Sequence, residues 1–485
     1  MFAFLKPKNT DRPKLRFHNT LTGSLEEFVP LKRGEVKMYN CGPTVYGTQH
    51  IGNMSAAVFA DVLRRTLEAW DYRVKQVINI TDFGHLSSDA DEGDDKMTIG
   101  LKREGMQLTL ENMRTLATKY MEEYFADLDQ LGVDRSKITF PRASDYIPQQ
   151  ISLIKALEEK GYAYKTSDGV YFDVSRFKEY GKLGNIDLEG QRAGARVEAN
   201  PEKRGPFDFI LWKSDEKLGW ESPWGLGFPG WHIECTAMIF TILGKQIDIH
   251  TGGVEHIPVH HNNEIAQAQA ATGKQFSKFW LHRDHITIDG KKISKSLGNT
   301  IYVHNIVDRG INPRALRYWF LTAHYRTQAN FTWDALTAAE TALTRLQRTY
   351  LELKANSRST SSVNAPAEFK NVFLTALGND MDTPSVIAHV WDVVKDQNIS
   401  NTEKLEALTL ADTILGLGLS DERAAAKLKV LEQNELPEEV QTLVEAREAA
   451  RKAKDFAESD KLREKIAELG FEVKDTPQGQ SVTRL

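Results

Sequence analysis

The chain has 485 residues, 41% of them hydrophobic and 27% charged, with a formal net charge of −5 and two cysteines. That length is enough for several domains with sizeable cores, and so few cysteines exclude a disulfide framework and suggest a reducing, cytoplasmic setting. No run approaches the roughly 18 uninterrupted apolar residues of a membrane span, the opening MFAFLKPKNTDRPK lacks the apolar stretch of a signal peptide, and the acidic balance argues against a chain-wide nucleic-acid coat while leaving room for a local basic face.

In chain order, Val36–Tyr39 reads as a strand that delivers Cys41 to a Gly42-Pro43 turn. A polar loop follows, and His50-Ile51-Gly52-Asn53 opens a helix along which Phe59, Val62, Leu63, Leu67 and Trp70 recur at helical spacing. Arg73–Ile80 then reads as a buried strand leading into Thr81-Asp82. Strand, helix, strand is a βαβ unit, and ligands bind beyond the carboxyl ends of its parallel strands, where Cys41, Thr44 and Thr81 fall. Backbone N–H groups and the positive end of the helix dipole suit an anion there. Gly52 permits close approach of a nucleotide, and His50 and Asn53 can donate to phosphate or ribose oxygens. The same four residues could simply start a helix.

The acidic run 83–97 (FGHLSSDADEGDDKM) reads as a solvated loop. Leu108–Gly132 and Ile147–Gly161 read as helices, the second closed by Gly161. Short strands (GVYFDV, FDFILW) and basic, glycine-containing loops between Tyr162 and Trp212 form an insertion between two halves of a nucleotide fold. The second half resumes with the helix GWHIECTAMIFTILG, the strand Gln246–His250, Thr251-Gly252-Gly253, the helix His260–Gly273, the strand Phe279–His282 and the loop KKISKS. Beyond Asn330 the pattern is helical: Thr332–Lys354, a serine-rich linker at 357–366, a helix with Thr383 as N-cap and Pro384 first in the helix, and two antiparallel helices over Leu436–Val473 closed by Gly470.

Two groups of residues carry chemistry. Cys41, Cys235 and the segment VHHNNE supply thiols, imidazoles and Glu264, with His260 and Glu264 one helical turn apart. Two thiols, an imidazole and a carboxylate are a donor set zinc accepts; the alternative is two packed free cysteines beside a polar helix start. Spacing leaves open which histidine binds, since His232, His250, His256 and His261 are also near in sequence and one of them could orient a ligand instead. The second group is Lys292, Ser294, Lys295 and Ser296, flanked by Asp289-Gly290 and Gly298. Lysines on a loop supply point charge to phosphate oxygens and serines supply hydroxyl donors, and a solvated basic turn is the bland reading.

HIGN followed much later by KISKS resembles the two signature motifs of class I aminoacyl-tRNA synthetases. The surroundings MYNCGPTVYGTQHIGN, NITD, GWHIECTAM, DIHTGG, HHNNEIAQ and KISKSLGN resemble the cysteinyl-tRNA synthetase family. The likeness runs through HYRTQANFTWD and MDTPSVIAHVWD to KDFAESDKLREKIAELGFEVKDTPQG. It implies an α/β fold: a Rossmann-type catalytic domain at 14–145 and 229–330, a connective, non-editing insertion at 146–228, a helical bundle at 331–430 and anticodon-recognition helices at 431–485. It implies an ATP-dependent ligase that activates L-cysteine as cysteinyl-adenylate and transfers it to tRNA(Cys), working as a cytoplasmic monomer without a membrane, with one zinc ion per chain and Mg²⁺ accompanying ATP.

Residue by residue, the resemblance assigns the zinc ligands to Cys41, Cys235, His260 and Glu264, and the cysteine pocket to Thr81, Trp231 and His250. It assigns ATP binding to Pro43, Thr44, His50, Gly52, Asn53, Lys292, Ser294, Lys295 and Ser296, with His50, Asn53, Lys292 and Lys295 as the catalytic group. Anticodon contacts fall on Arg451, Phe456, Asp460 and Arg463, within a basic run that also holds Arg447, Lys452, Lys454, Lys461 and Lys465. The chain departs from the family at Phe456 (commonly Trp), Asn53 (often His across the class), Thr251 (usually Gly), Glu255 (usually Asp) and in the longer 83–97 segment. Two alternatives remain at this point: a ligase joining cysteine to a glucosaminyl-inositol in mycothiol synthesis, and a non-catalytic, zinc-containing RNA-binding paralogue.

Overall fold

The computed structural model describes residues 12–83, 96–187, 200–294, 298–356, 367–421, 431–476 and 479–484. The chain opens with an antiparallel hairpin, β1 (Arg16–Asn19) and β2 (Ser24–Glu27). Next come β3 (Glu35–Asn40), α1 (Ile51–Ala69), β4 (Arg73–Ile78), α2 (Lys96–Arg103), α3 (Leu110–Gln130), β5 (Ile138–Thr139) and α4 (Ile147–Glu159). The insertion supplies β6 (Ala163–Thr166), β7 (Gly169–Phe172), β8 (Phe209–Ser214) and β9 (Gly227–Pro229), an antiparallel sheet in that order. It packs on α4 through Leu153, Leu157, Phe172 and Trp212.

Then follow α5 (Trp231–Ile242), β10 (Ile247–Gly253), α6 (Asn262–Thr272) and β11 (Ser277–Arg283). These complete a five-stranded sheet, order β11-β10-β3-β4-β5, whose neighbours all pair in parallel. Strands buried on both faces need nearly continuous apolar side chains, and β3 and β10 are buried along almost their whole length. One face carries α1 and α3 through Met54, Val58, Val62, Leu116 and Leu128; the other carries α5 and α6 through Met238, Ile239, Ile265 and Ala268.

A small sheet of β12 (Ile286–Ile288), β13 (Lys291–Lys292) and β14 (Ala329–Phe331) carries Lys292, the start of the second signature motif, on its edge strand β13. The helical part comprises α7 (Val303–Val307), α8 (Pro313–Leu321), α9 (Trp333–Asn356), α10 (Ala367–Gly378), α11 (Thr383–Lys395) and α12 (Asn401–Leu415). It is locked to α1 by a buried ion network. Arg317 donates to Asp61 Oδ2 at 2.7 Å, to the Leu415 carbonyl at 2.6 Å and to the Leu131 carbonyl at 3.2 Å, so one guanidinium satisfies the ends of two helices. Burial works against charge on Asp61, but Arg317, Arg65 and Arg64 outweigh it and hold the carboxyl below its usual range.

The last segment, α13 (Glu438–Lys452) and α14 (Phe456–Glu468), continues into a hairpin of β15 (Phe471–Thr476) and β16 (Gly479–Arg484) with its own core of Leu436, Val440, Ile466, Phe471, Val473 and Val482. The second helix therefore stops at Glu468, and Val473 lies in a strand rather than in the expected helix. The N-cap of α11 is Asp382, which accepts from Ser385 N–H; Thr383 and Pro384 are already inside the helix. The stretches 84–95 and 357–366, most of the expected acidic loop and the whole linker, lie outside the described residues. Among the described residues, no helix is long and apolar enough to cross a membrane.

Candidate active site and metal centre

The carboxyl edge of the parallel sheet borders a cavity of about 680 Å³. Its lining includes Pro43, Thr44, His50, Gly52, Asn53, Trp231, Lys292 and Ser294, residues that come from three separated parts of the chain. Cys41 leaves β3 with its N–H on the Thr251 carbonyl at 3.0 Å, and Thr44 pairs with Thr81 in a parallel bridge. The two signature loops are tied together: Ile51 N–H donates to the Ile301 carbonyl at 2.9 Å and His50 pairs with Tyr302.

His50 is the N-cap of α1. Its Nδ1 accepts from the Gly52 and Asn53 N–H groups at 3.1 and 3.3 Å, so the ring caps the helix-start amides. A Cβ at Gly52 would lie 2.9 Å from His50 Cε1 and 3.4 Å from Ile293 Cδ1, so glycine lets the capping ring and the second loop close on the same turn. In that second loop, Asn299 accepts from Ser294 N–H at 2.9 Å and donates to the Lys292 carbonyl at 3.0 Å. Lys295 and Ser296 lie outside the described residues.

Behind the pocket, one oxygen, nitrogen or sulfur from each of Cys41, Cys235, His260 and Glu264 lies within 4.8 Å of the others. His260 Nε2 is 2.9 Å from Glu264 Oε1 and 3.7 Å from Cys235 Sγ, and Cys41 Sγ is 3.8 Å from the same carboxylate oxygen. Cys235, His260 and Glu264 are fully buried. The electrostatics show how tightly the four are coupled. Burial pushes the Cys41 thiol well up. On Cys235 burial is outweighed by its hydrogen bond with Cys41 and by His260, which bring it down to about 6. Burial works against charge on both His260 and Glu264, yet each holds the other ionised: His260 rises to about 10, and His250 with His260 draws Glu264 down to about 2. Two sulfurs, one imidazole nitrogen and one carboxylate oxygen converging in a buried spot fit zinc.

The histidine ambiguity persists in three dimensions, because Cys41, His250, His261 and Glu264 satisfy the same 4.8 Å criterion. The surroundings separate their roles. His232 Nδ1 holds His260 Nδ1 at 2.9 Å, which leaves Nε2 of His260 for the cluster. His261 Nε2 is 3.3 Å from Cys41 Sγ, and its Nδ1 is 2.7 Å from His282 Nε2; the other ring nitrogen of His282, Nδ1, is 2.7 Å from Thr20 Oγ1. Only the first set contains both thiols. Sequence reasoning missed His282 and Thr20, whose link to Cys41 crosses more than two hundred residues.

Of the three residues expected in the amino-acid pocket, Trp231 lines the cavity and packs over His260 with ring centroids 4.0 Å apart. Thr81 and His250 are buried behind it. Thr81 Oγ1 donates to Glu234 Oε2 at 2.8 Å, and His250 Nε2 sits 2.9 Å from Glu264 Oε2 with its ring stacked on Trp280. In the C-terminal unit Phe456 is 59% exposed at the start of α14, Arg451 pairs with Asp475 and Arg463 with Asp460. Arg447 departs from the expected basic face: it is buried, with two hydrogen bonds to Asp475 at 3.0 Å, and holds the hairpin to α13.

Residues 27–341 match the profile described as tRNA synthetases class I (C) catalytic domain, and residues 433–482 match that of the cysteinyl-tRNA ligase anticodon binding domain. Cysteine--tRNA ligase 1 of Burkholderia lata is 42% identical over 96% of this chain and 96% of its own. Cysteine--tRNA ligase of Caldicellulosiruptor saccharolyticus is 41% identical over 97% of this chain and 100% of its own. Among solved structures, Mycobacterium tuberculosis methionyl-tRNA synthetase in complex with methionyl-adenylate shares the fold, with a TM-score of 0.56 at 12% identity over 83% of this chain and 95% of that one. The two profiles and the near-complete overlap with these relatives place the chain in the cysteinyl-tRNA synthetase family of class I aminoacyl-tRNA synthetases.

Proposed function

We propose that the chain activates L-cysteine with ATP and transfers the cysteinyl group to tRNA(Cys). The observation that carries this reading is the meeting of Cys41, Cys235, His260 and Glu264 immediately behind a cavity lined by His50, Gly52, Asn53 and Lys292. The amino-acid carboxylate attacks the α-phosphate of ATP in line and pyrophosphate leaves; the 3′-terminal adenosine of the tRNA then takes the cysteinyl group. Neither step needs a covalent nucleophile from the protein, so the chain contributes position and charge. His50 and Asn53 address the phosphates and ribose from the start of α1. Lys292 and Lys295 bring positive charge to the departing pyrophosphate, with Ser294 and Ser296 as hydroxyl donors and Pro43 and Thr44 bounding the nucleotide on the strand side. Mg²⁺ enters with ATP.

Cys41, Cys235, His260 and Glu264 would hold zinc, one ion per chain. Held there, zinc would supply a Lewis-acid site that favours a thiolate sulfur over the hydroxyl of serine. Trp231 closes the amino-acid end from the pocket side, while Thr81 and His250 support it from behind through Glu234 and Glu264. A hydrophobic pocket rejects an analogue that differs by one methylene only about 10–200-fold; a sulfur-selective site needs no editing step, which supports a connective role for the 146–228 insertion, between catalytic halves at 14–145 and 229–330. The bundle at 331–430 and the segment 431–485 would serve the tRNA, with Arg451, Phe456, Asp460 and Arg463 reading anticodon bases. The 433–482 match supports tRNA over an amino sugar as acceptor. A cytoplasmic monomer is the accompanying expectation.

The test is cysteine-dependent ATP–pyrophosphate exchange followed by charging of tRNA(Cys). Exchange with cysteine at least about a hundredfold above serine, with charging, is expected. No exchange from zinc-replete protein, or transfer to glucosaminyl-inositol in place of tRNA, overturns the reading.

A further inference from the structure

Arg283, the last residue of β11, is a buried cation at the edge of the nucleotide cavity that forms no ion pair among the described residues. It is 6% exposed, and among the described residues no carboxylate comes within 4.0 Å of its guanidinium. Among the described residues its side chain makes one hydrogen bond, from Nε to Ser55 Oγ at 2.8 Å, and Ser55 in turn donates to the Gly52 carbonyl at 2.7 Å. Gly52 is in the first turn of α1, between the capping His50 ring and Ile293. The guanidinium carbon lies 5.7 Å from the centre of the Phe320 ring, and Arg283 also borders a small void walled by Val58, Phe59, Val62, Phe320, Leu321 and Met381. Arginine stays charged even here, since burial brings it down only to about 10 with Asp284 pulling the other way.

A buried charge needs compensation. Behind Arg283 the wall is mostly apolar, so the side from which a counter-charge can arrive is the cavity that holds Lys292, His50 and the positive end of α1. We propose that Arg283 is a positioning residue for the nucleotide: it fixes the first turn of α1 through Ser55 and keeps a positive charge, without an ion pair among the described residues, beneath a site that takes a polyanion. The proposal rests on the reading of this cavity as the ATP site. It separates Arg283 from the two signature loops, since its effect reaches the ligand through Ser55, Gly52 and the local field rather than by contact with the reacting atoms.

The experiment measures ATP–pyrophosphate exchange as separate KM values for ATP and cysteine in the wild type and in Arg283→Met, Arg283→Lys and Ser55→Ala. Arg283→Met is expected to raise KM for ATP about tenfold and to leave KM for cysteine within about twofold. Arg283→Lys, which keeps the charge, is expected to restore KM for ATP to within about threefold of wild type, and Ser55→Ala to fall between the two. Equal shifts in both KM values, or a lysine variant as impaired for ATP as the methionine one, overturn the proposal and leave Arg283 a packing residue. If Arg283→Met does not fold, Ser55→Ala decides: a raised KM for ATP with KM for cysteine within about twofold supports the proposal, and no change or equal shifts in both overturn it. Wild-type protein without cysteine-dependent exchange would instead defeat the reading of the cavity.

Discussion

The metal cluster and the C-terminal unit arrive at their chemistry by opposite routes. Cys41 and Glu264 are 223 residues apart and meet only because β3, β10 and α6 are neighbours in one sheet and its covering layer. Arg451, Phe456, Asp460 and Arg463 lie within one helical pair that has its own small core. The first set is buried and made of groups that set one another's ionisation; the proposed second set is exposed, its charged members meeting only in surface ion pairs, Arg451 with Asp475 and Arg463 with Asp460. A substitution in the first should therefore damage ligand, metal and substrate together, whereas one in the second should touch a single function.

Cys235→Ser would show the largest effect. Hydroxyl is a far poorer zinc donor than thiolate, so zinc content should fall below one per chain and cysteine activation at least about a hundredfold, while tRNA binding persists. Metal analysis beside pyrophosphate exchange reads both, and full zinc occupancy in the variant would show that the four residues do not act as a unit. Arg447→Met comes next. It removes the two hydrogen bonds to Asp475 from a buried guanidinium and should loosen the hairpin by about 2 kcal/mol, a value reduced because Asp475 is partly exposed. Hydrogen exchange confined to 431–484 would report this, with pyrophosphate exchange unaffected; opening that spreads into the catalytic sheet would break the proposed independence of the unit.

Phe456→Ala should be milder still. An exposed ring that stacks on a base is worth roughly 1–3 kcal/mol, so kcat/KM for tRNA should drop about tenfold while thermal stability and pyrophosphate exchange stay at wild-type values. Unchanged charging kinetics would remove Phe456 from the tRNA interface.

What could be read in advance follows the same division. Periodicity and apolar runs found α1, α3, α4 and four of the five parallel strands because their apolar residues answer to a core; the two-residue β5 was not read. It missed the hairpins Arg16–Asn19/Ser24–Glu27 and Phe471–Thr476/Gly479–Arg484, whose short strands lack a sustained apolar alternation and are fixed by pairing with each other. It set Thr383 as a cap because Thr-Pro is a good helix start, but Asp382, with a carboxylate reaching Ser385 N–H, is better placed. At the site, types of ligand were legible from spacing, and only the family resemblance singled out His260: His250, His260 and His261 all stand around one carboxylate and one sulfur, and the hydrogen bonds of His260 with His232 and of His261 with His282 come from elsewhere in the fold. Arg447 and Arg283 look alike in sequence as basic residues near a site; only burial shows that one is spent on Asp475 and the other is not.

The smallest expected effect asks whether burial of an ionisable group, without convergence, has any functional weight. Asp127 on α3 is 8% exposed, belongs to neither site, and among the described residues has no side-chain hydrogen-bond partner. Burial, with the charge of Glu123 adding to it, raises its carboxyl to about 7. A carboxyl raised in the folded state stabilises nothing at low pH, where both states are protonated. As pH climbs from about 4 to about 7 the unfolded chain ionises first, so folding is progressively penalised, and above about 7 the penalty is constant. Asp127→Asn removes the titration. It should leave stability near pH 4 unchanged and raise it by about 1–2 kcal/mol at pH 8, after allowance for solvent screening, with both half-reactions unaltered. Thermal midpoints across that range check the slope; a gain independent of pH would mean that packing rather than charge distinguishes the two side chains, and a loss of cysteine activation would show that a buried carboxylate remote from the cluster still serves it.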